Sequence, residues 1–413
     1  MTNVSNATLC DIIILTMDQE ELLKNCLISI EQHTTIPIRI IIVNNGGVHI
    51  VSYLNGLRDT NSISYTIIHN AENVGFIKGN NQALRLSAAP YVCLLNNDTL
   101  VTDGWLTEMI KVCEERNDIG MVNPRSNTLG TYTSDNEDIV VLARKLKNEQ
   151  RSFTPAGICV GFCMFIKRDI VQKVGYLDET IGEMLFEDAD YSMRVKRAGF
   201  LCVVAHRSYV YHIEHKSIDT RKKSDVQRIF ESSKRNFEMK WGRSLNVLFV
   251  DDIFSKSSPM LSKRLYLLTR LIDDDNQVSL LVNSCDDLLR SREDLEGVVG
   301  SSLTALKKCI VYHKSFWFYF IAVSTLLGKV KKPFDVVITT SIPFVRLIKL
   351  FKRVIHKKII FIINDNNATL QLEKYYNSFD LVYDMTENRS EKKYISEENI
   401  MTLRSYLKDI VVG

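Results

Sequence analysis

The sequence predicts an α/β protein with mostly parallel sheets and two domains. Three observations support this class. Apolar runs alternate with amphipathic runs, the alternation restarts near residue 244, and a chain of 413 residues is longer than one hydrophobic core usually serves. We therefore expect one domain over residues 1–243 and a second, smaller α/β domain over residues 244–413.

The first half begins with a strand, a helix and a strand. Residues 11–15 and 38–43 are apolar runs of strand length, and residues 20–33 between them repeat apolar side chains at helical spacing. Such a unit predicts a parallel pair of strands. The same alternation predicts further strands at residues 63–69, 91–95, 161–167 and 201–205, and helices at 79–87, 188–198 and 221–241.

The remaining segments complete this outline. Residues 126–151 are polar with few apolar anchors, and we expect a mobile excursion there. In the second half, strands are predicted at residues 245–250, 278–282, 335–340 and 358–364, with a helix at 261–272.

Composition excludes several classes of protein. The net charge of +3 is too small, and the basic residues too scattered, for a nucleic-acid partner. Nine cysteines, an odd number without a close CxxC pair, disfavour a disulfide framework and a structural zinc site. The first ten residues lack the pattern of a secretory signal. We therefore expect a cytoplasmic protein.

One aromatic segment, residues 316–327, has lysines on both sides. It is shorter than the roughly 20 apolar residues that span a bilayer. A buried domain helix is the favoured interpretation. The alternative is a helix seated in a membrane interface, which would give peripheral contact at the inner face of the membrane.

Two acidic clusters are the strongest functional signal. Asp98 follows a predicted strand and two asparagines, and a carboxylate there suits Mg²⁺ or Mn²⁺. Glu187, Asp188 and Asp190 open a predicted helix, and their mutual repulsion favours a general base, which we assign to Asp188. Ordinary turn composition at Asp98 and helix-favouring acids at residues 187–190, with Asp190 and Arg194 as an i,i+4 pair, are the structural alternatives.

Other polar residues follow predicted strands. Thr16 and Asn44 come at the carboxyl ends of two strands, where open parallel sheets bind ligands. His212, after a later strand, is a candidate to complete a mixed carboxylate and imidazole cation site. Residues 70–81 place glycines before a helix without a GxGxxG pattern, which disfavours a dehydrogenase-type dinucleotide site but leaves backbone N–H groups for a phosphate.

Several motifs in order resemble family 2 of the inverting glycosyltransferases, which have the GT-A fold. The resemblance covers residues 10 to about 240 and is closest to the rhamnosyltransferase-like branch of bacterial cell-surface polysaccharide enzymes. The motifs are Asp11-Ile12-Ile13-Ile14-Leu15-Thr16, Ile41-Ile42-Val43-Asn44-Asn45-Gly46, Asn73-Val74-Gly75-Phe76, Gly79-Asn80-Asn81, Leu94-Leu95-Asn96-Asn97-Asp98, Gly161-Phe162-Cys163-Met164, Gly175-Tyr176-Leu177-Asp178-Glu179, Phe186-Glu187-Asp188-Ala189-Asp190 and His212.

The resemblance implies a mechanism and a set of partners. Asp98 and His212 would bind Mn²⁺ or Mg²⁺, and Asp188, with Glu187 and Asp190 beside it, would deprotonate the acceptor. The donor would be a UDP- or dTDP-linked sugar, transferred with inversion to a glycan or lipid-linked saccharide in surface polysaccharide synthesis. The implied donor-binding residues are Thr16, Asp18, Asn44, Asn73, Gly75, Lys78, Asn81 and Asn97.

This chain departs from the family pattern at two positions. Asn44 stands where the family usually has Asp at the nucleobase contact, which leaves the choice between uridine and deoxythymidine open. Asp18 stands where the loop after the first strand usually ends in Asn, and it adds negative charge beside an anionic donor.

The part from Leu245 resembles the N-terminal half of a GT-B transferase, a Rossmann-like domain. No second half with a nucleotide-binding acidic motif follows, so a docking or acceptor-recruiting module, or a truncated second enzyme, is expected. For the whole chain the alternative to an enzyme is a non-catalytic pseudo-transferase in an assembly complex. A sugar nucleotidyltransferase is disfavoured because residues 16–20 contain no glycine and no arginine.

Overall fold

The chain forms two compact units, Met1–Lys240 and Trp241–Gly413. The structure is a computed structural model. It describes residues 7–60, 63–132, 138–213, 222–242, 245–254, 277–285, 308–311, 336–339, 358–363 and 381–384. The predicted domain boundary falls at residues 243 and 244, outside the described residues, so the domain division stays a prediction.

The first unit contains nine described strands and eight described α-helices. The strands are β1 (Cys10–Thr16), β2 (Ile38–Asn45), β3 (Ile63–Asn70), β4 (Tyr91–Leu95), β5 (Thr99–Val101), β6 (Ile119–Arg125), β7 (Phe153–Pro155), β8 (Cys163–Lys167) and β9 (Leu201–His212). The helices are α1 (Glu20–His33), α2 (Val51–Gly56), α3 (Phe76–Leu86), α4 (Trp105–Glu115), α5 (Ile139–Leu146), α6 (Arg168–Val174), α7 (Glu187–Arg197) and α8 (Lys223–Trp241).

The strands of this unit pair in the order β3-β2-β1-β4-β8-β6-β9-β5, and β7 pairs with β9. Strands β3, β2, β1 and β4 are mutually parallel, whereas β8 is antiparallel to both β4 and β6. Residues 10–14 of β1 are all buried because the strand has neighbours on both edges and is covered on both faces. The predicted α/β class with a mostly parallel sheet is confirmed.

The second unit contains a six-stranded sheet in which every pair is parallel. Its strands are β10 (Asn246–Phe254), β11 (Gln277–Cys285), β12 (Lys308–Val311), β13 (Val336–Thr339), β14 (Lys358–Ile363) and β15 (Leu381–Asp384). They pair in the order β12-β11-β10-β13-β14-β15. The first strand in sequence is therefore central, which is the order of doubly wound nucleotide-binding sheets.

Two predicted segments of this unit, the helix at residues 261–272 and the aromatic segment at 316–327, lie outside the described residues. Within the part of the chain that the structure describes, no helix is both long and apolar enough to cross a bilayer.

Observed and predicted elements differ in several places, of which three concern the site. Strand β9 continues to His212 instead of ending at residue 205, because it pairs with β5 beyond that point. The segment from 105 to 125, for which we predicted no elements, forms α4 and β6. Within the stretch expected to be mobile, α5 packs Leu142 and Leu146 against Tyr209, so this part is anchored.

A buried charge ties β1 to its surroundings. Asp11, with no exposed surface, accepts hydrogen bonds from Arg39 Nε at 2.8 Å and Arg39 Nη2 at 2.9 Å. The backbone N–H groups of Ala88 and Ala89 donate to Asp11 Oδ2 at 2.7 and 3.0 Å. This carboxylate therefore joins β1, β2 and the segment before β4 through four charge-assisted hydrogen bonds.

We expect Asp11→Ala to lower the free energy of unfolding by about 3 kcal/mol or more, because it leaves a guanidinium and two amide donors without their acceptor. Asp118→Asn is the matched control, since Asp118 pairs with Arg116 on the surface and exposed pairs contribute little. Urea unfolding followed by circular dichroism measures both. Equal midpoints for the two variants would contradict the structural role of Asp11.

Candidate active site

Polar side chains gather where β1 and β4 end. The two strands are parallel neighbours, so their carboxyl ends lie at the same edge of the sheet. Asn97, directly after β4, donates from Nδ2 to Thr16 Oγ1 at 3.1 Å and to Gln19 Oε1 at 2.9 Å. The structure thus brings together Thr16 and Asn97, two of the predicted donor-binding residues, and adds Gln19, which the sequence analysis did not single out.

Asp98 and His212 are in direct contact. Strand β5 pairs with the end of β9 so that Thr99 lies opposite His212. This register places His212 Nε2 at 3.1 Å from Asp98 Oδ1, with only 13% and 3% of the two side chains exposed. Asn96 Nδ2 lies 3.4 Å from the same ring nitrogen. The two predicted metal ligands therefore form one buried polar site.

Neighbouring residues fix the orientation of the His212 ring. Asn127 exchanges hydrogen bonds with the His212 backbone, at 2.9 Å from N–H to Oδ1 and 2.7 Å from Nδ2 to the carbonyl oxygen. Thr128 Oγ1 lies 3.0 Å from His212 Nδ1, and the Phe162 ring stacks on the imidazole with centroids 5.4 Å apart. A second partner on Nδ1 leaves Nε2 directed to Asp98, which is the arrangement of a metal-binding histidine.

The donor set fits a hard divalent cation that is completed by substrate. Among the described residues, no group of three or more His, Cys, Asp or Glu side chains is arranged to hold a metal ion. Asp98 and His212 supply two ligands, an oxygen and a nitrogen. Mg²⁺ is usually bound through one or two protein carboxylates plus waters and substrate phosphates, so two protein ligands suit a cation shared with a diphosphate.

The second acidic cluster begins at a strained turn. Leu185 and Phe186 both adopt left-handed backbone conformations, with φ of 70° and 67°, immediately before α7 begins at Glu187. Such conformations cost non-glycine residues about 1–3 kcal/mol each and persist only where the surroundings enforce them. The strain thus lies next to the residues predicted to be catalytic.

Helix α8 supplies the packing that holds this turn. The Phe186 ring lies 5.4 Å, between centroids, from both Phe230 and Phe237 of α8. Ser233 donates to the carbonyl of Met184 at 2.8 Å. The aromatic clamp of Phe186, Phe230 and Phe237 therefore fixes the start of α7, and no sequence motif pointed to it.

The two carboxyl groups at the start of α7 have different surroundings. Asp188 accepts backbone hydrogen bonds at both oxygens, from Gly161 N–H at 3.0 Å and Ala189 N–H at 2.7 Å. Glu187 is 7% exposed, and its Oε2 atom has no hydrogen-bond partner. Burial and then the neighbouring Asp188 charge raise the pKa of Glu187 to about 8, although the backbone N–H groups of Glu187 and Leu185 oppose that rise. Burial also raises the pKa of Asp188, while its backbone donors oppose that rise.

One short segment, residues 159–163, connects the two acidic clusters. Gly161 donates its backbone N–H to Asp188, and the next residue, Phe162, stacks on His212. The Phe162 carbonyl also accepts from Asn96 N–H at 2.9 Å. The Asp98–His212 pair and Asp188 therefore both adjoin these two consecutive residues, although they are far apart in sequence.

Asp190 and Asn81 make structural contacts. Asp190, with no exposed surface, pairs with Arg194 Nε at 2.9 Å and Lys240 Nζ at 2.6 Å. Asn81 bonds through both amide atoms to the backbone of Leu177, at 2.9 and 3.0 Å. The structure therefore gives both residues a role in connecting α3, α7 and α8 to the loop between α6 and α7.

The remaining predicted donor-binding residues lie at the carboxyl end of β2, in the loops after β1 and β3, and in the first turn of α3. Asn44 exchanges two hydrogen bonds with the Gly47 backbone, and Asp18 Oδ1 accepts from His49 N–H at 2.8 Å. Asn73 Oδ1 accepts from Asn45 Nδ2 at 2.8 Å and from Gly75 N–H at 2.9 Å. Gly75 caps α3 with a φ of 91°, and Lys78 is exposed in the first turn of that helix.

Residues 11–175 match the family described as Glycosyl transferase family 2. This segment, less than half of the chain, contains Asp98 and Gly161. The match and the paired acidic clusters support glycosyl transfer as the activity. No curated protein sequence matches the chain.

Three solved structures illustrate distant likeness in fold. The chain is 12% identical to GalNAc-T7 with UDP, GalNAc and Mn²⁺, over 50% of this chain and 44% of that one, with a TM-score of 0.41. It is 13% identical to the mannosyltransferase PcManGT from Pyrobaculum calidifontis in complex with GDP-Man and Mn²⁺, over 89% and 82%, with a TM-score of 0.41. It is 10% identical to S. aureus TarS 1–349 in complex with UDP-GlcNAc, over 77% and 85%, also with a TM-score of 0.41.

The chain thus spans less than half of the GalNAc-T7 structure.

We expect Phe237→Ala to loosen the start of α7, because Phe237 is only 4% exposed and its removal leaves a cavity beside Phe186. Hydrogen exchange of the amides of residues 185–190 should accelerate. Phe230→Ala is the matched control, since Phe230 is 40% exposed and contacts the same ring. If the amides of residues 185–190 exchange at the same rate in Phe237→Ala as in Phe230→Ala, the clamp does not hold the turn.

Proposed function

We propose that this protein transfers a sugar from a nucleoside-diphosphate donor to a hydroxyl group, with inversion at the anomeric carbon. The observation that carries the proposal is that the consecutive residues Gly161 and Phe162 contact Asp188 and His212, the partner of Asp98. A cation-binding pair and a half-buried base that adjoin the same short segment suit a displacement in which a diphosphate leaves as a hydroxyl arrives.

The residues divide the work between the two sides. Asp188 takes the proton from the acceptor hydroxyl. The oxygen of that hydroxyl bonds to the anomeric carbon as the bond from this carbon to the donor phosphate breaks. Asp98 and His212 would hold Mn²⁺ or Mg²⁺, which neutralises the charge of the departing diphosphate. Gly161 N–H and Ala189 N–H hold the Asp188 carboxylate in place by donating to its two oxygens.

The donor would lie along the ends of β1, β2 and β4. Thr16 and Asn97 provide a joined polar floor, and the loops of Asp18, Asn44 and Asn73 provide its wall. Asn44 uses its amide on the Gly47 backbone, with Nδ2 also 3.3 Å from His69 Nδ1. This use favours recognition of the base, uracil or thymine, through the loop backbone.

Finer parts of the proposal extend beyond this site. The acceptor is a glycan or lipid-linked saccharide, and the pathway is synthesis of bacterial surface polysaccharide by a rhamnosyltransferase-like enzyme. The central position of β10 in a parallel sheet supports a partial GT-B-like second domain that recruits the acceptor. We place the protein in the cytoplasm, with peripheral contact at the inner face of the membrane.

The direct test is an assay of a panel of UDP- and dTDP-linked sugars with Mn²⁺, Mg²⁺ or EDTA. We expect donor hydrolysis with at least one sugar, and its loss in EDTA, because the two protein ligands act only with a cation. Restoration by added metal is the control. Activity that is unchanged in EDTA would contradict the cation site.

Two substitutions separate the proposed roles. Asp188→Asn keeps the shape of the side chain but removes the base, so we expect transfer to fall about 10²–10⁴-fold with donor affinity retained. Asp98→Ala removes a metal ligand, so we expect donor affinity in the presence of Mn²⁺ to fall about tenfold or more. Calorimetric binding of the active donor, with and without Mn²⁺, measures the second effect.

The same two variants test the alternative of a non-catalytic pseudo-transferase. That protein would bind the donor with metal dependence through Asp98, yet wild type and Asp188→Asn would both lack turnover with every donor in the panel.

A further inference from the structure

The two carboxyl groups at the start of α7 are adjacent in sequence, yet the chain treats them differently. Asp188 is half-buried, and a backbone N–H donates to each of its oxygens. Donors of this kind stabilise the charged form of a carboxylate. Glu187 is buried, and its Oε2 atom has no partner. An ionised carboxylate oxygen left buried without a donor is costly, whereas a protonated group avoids this cost.

The groups around the pair do not offer Glu187 a countercharge. Asp188, on its own helix, is negative and opposes ionisation of Glu187. From the facing segment 159–163, the nearby thiol is Cys159, whose own pKa burial raises well above its usual range, so it stays neutral. From α8, Lys240 is engaged with Asp178 and Asp190. Arg194, one turn further along α7, binds Asp190.

We propose that Glu187 is a positioning residue that carries a proton instead of a charge, so that the pair holds one negative charge and Asp188 alone is the base. This inference rests on the proposed function. Glu187 is assigned the protonated form because its buried oxygen has no partner. Asp188 is assigned the ionised form because two backbone N–H groups donate to it. Asp188, as the half-buried member, is also the one that an acceptor hydroxyl reaches.

A neutral Glu187 sets the alkaline limit of activity. The pKa of Glu187 is raised to about 8, so above that pH a second negative charge appears beside Asp188. The new negative charge repels the Asp188 carboxylate from its backbone donors and also repels the diphosphate donor. We therefore expect the transfer rate of the wild type to fall above pH about 8.

The same proton makes folding depend on pH. Glu187 titrates near its ordinary pKa of about 4.3 when unfolded and near 8 when folded, so folding takes up a proton between these values. The stabilisation is complete below the unfolded pKa and is lost as pH rises through the folded one. A side chain that cannot ionise avoids this loss.

The variants are Glu187→Gln and Glu187→Met, with Glu114→Gln on the exposed face of α4 as the matched control. Glutamine imitates the protonated acid, and methionine replaces the unpartnered oxygen with an apolar group. The first measurement is the melting temperature of the full chain without donor or metal, at pH about 5 and about 8. It requires no activity, so it tests the proton on Glu187 even if the proposed transfer reaction is wrong.

For each Glu187 variant, we expect the melting temperature relative to wild type to be several degrees higher at pH about 8 than at pH about 5. For Glu114→Gln this difference from wild type should be the same at both pH values. A difference from wild type that is the same at both pH values, or that shrinks as pH rises, would overturn the inference. So would failure of both variants to fold, because a neutral group should be accepted at this position.

The second measurement is the rate of transfer against pH, with Mg²⁺ and the active donor. Glu187→Gln should lose the alkaline fall, so that its rate above pH about 8 stays close to its own rate near neutral pH, whereas Asp188→Asn should be inactive throughout. A Glu187→Gln rate as low as that of Asp188→Asn would show that Glu187 carries the working charge. Absence of wild-type turnover with every donor would instead count against the proposed function and leave the melting result to stand by itself.

Discussion

Glu187 and Asp188 place two carboxyl groups side by side in the first turn of α7, in a region with little solvent. A medium of low dielectric constant does not support two adjacent charges without a countercharge, so the surroundings have to favour one of them. Gly161 does this by donating its backbone N–H to Asp188. A built Cβ at Gly161 would lie 3.6 Å from Asp188 Oδ2 and 3.6 Å from Glu187 Oε1, so a glycine keeps the backbone close to both carboxyl groups.

The sheet explains how residues that are distant in sequence reach this place. Parallel strands β2, β1 and β4 deliver Asn44, Thr16 and Asn97 to one edge. The antiparallel strand β8 then brings the segment that precedes it, residues 159–163, back to the end of β4. Strand β9 extends past the main sheet to pair with β5 and carries His212 to Asp98. The mixed direction of the strands thus matters as much as their alternation with helices.

Much of this arrangement is predictable from local pattern. Helix α1 and strand β4 have the predicted bounds, since a strong apolar period ends at clear polar breaks on both sides. The motifs also indicated the pairing of Asp98 with His212. The contacts that fix these residues are not local: Asn127 and Thr128 meet His212 across more than 80 positions, and no periodic pattern records such a meeting.

The acidic residues at the start of α7 were also only partly predictable from the sequence. Three acids in four residues predicted a perturbed carboxyl group, and burial raises the pKa of both Glu187 and Asp188. Lys240 lies 50 residues after Asp190 and pairs with it, which no spacing in the sequence suggests. Asn81 is predicted to contact the donor because of its place in a motif, and its hydrogen bonds with the Leu177 backbone could not be predicted from that motif.

The aromatic clamp around Phe186 also limits insertions and deletions at the start of α7. Phe186 is fixed against α8, and α7 begins at the next residue. The position of Phe186 therefore determines the angular position of Asp188 around the α7 axis. Each residue of an α-helix advances by about 100° around its axis. Insertion or deletion of a single residue at this junction would therefore turn the carboxylate away from Gly161, and the spacing between Phe186 and Asp188 is constrained as strictly as their identities.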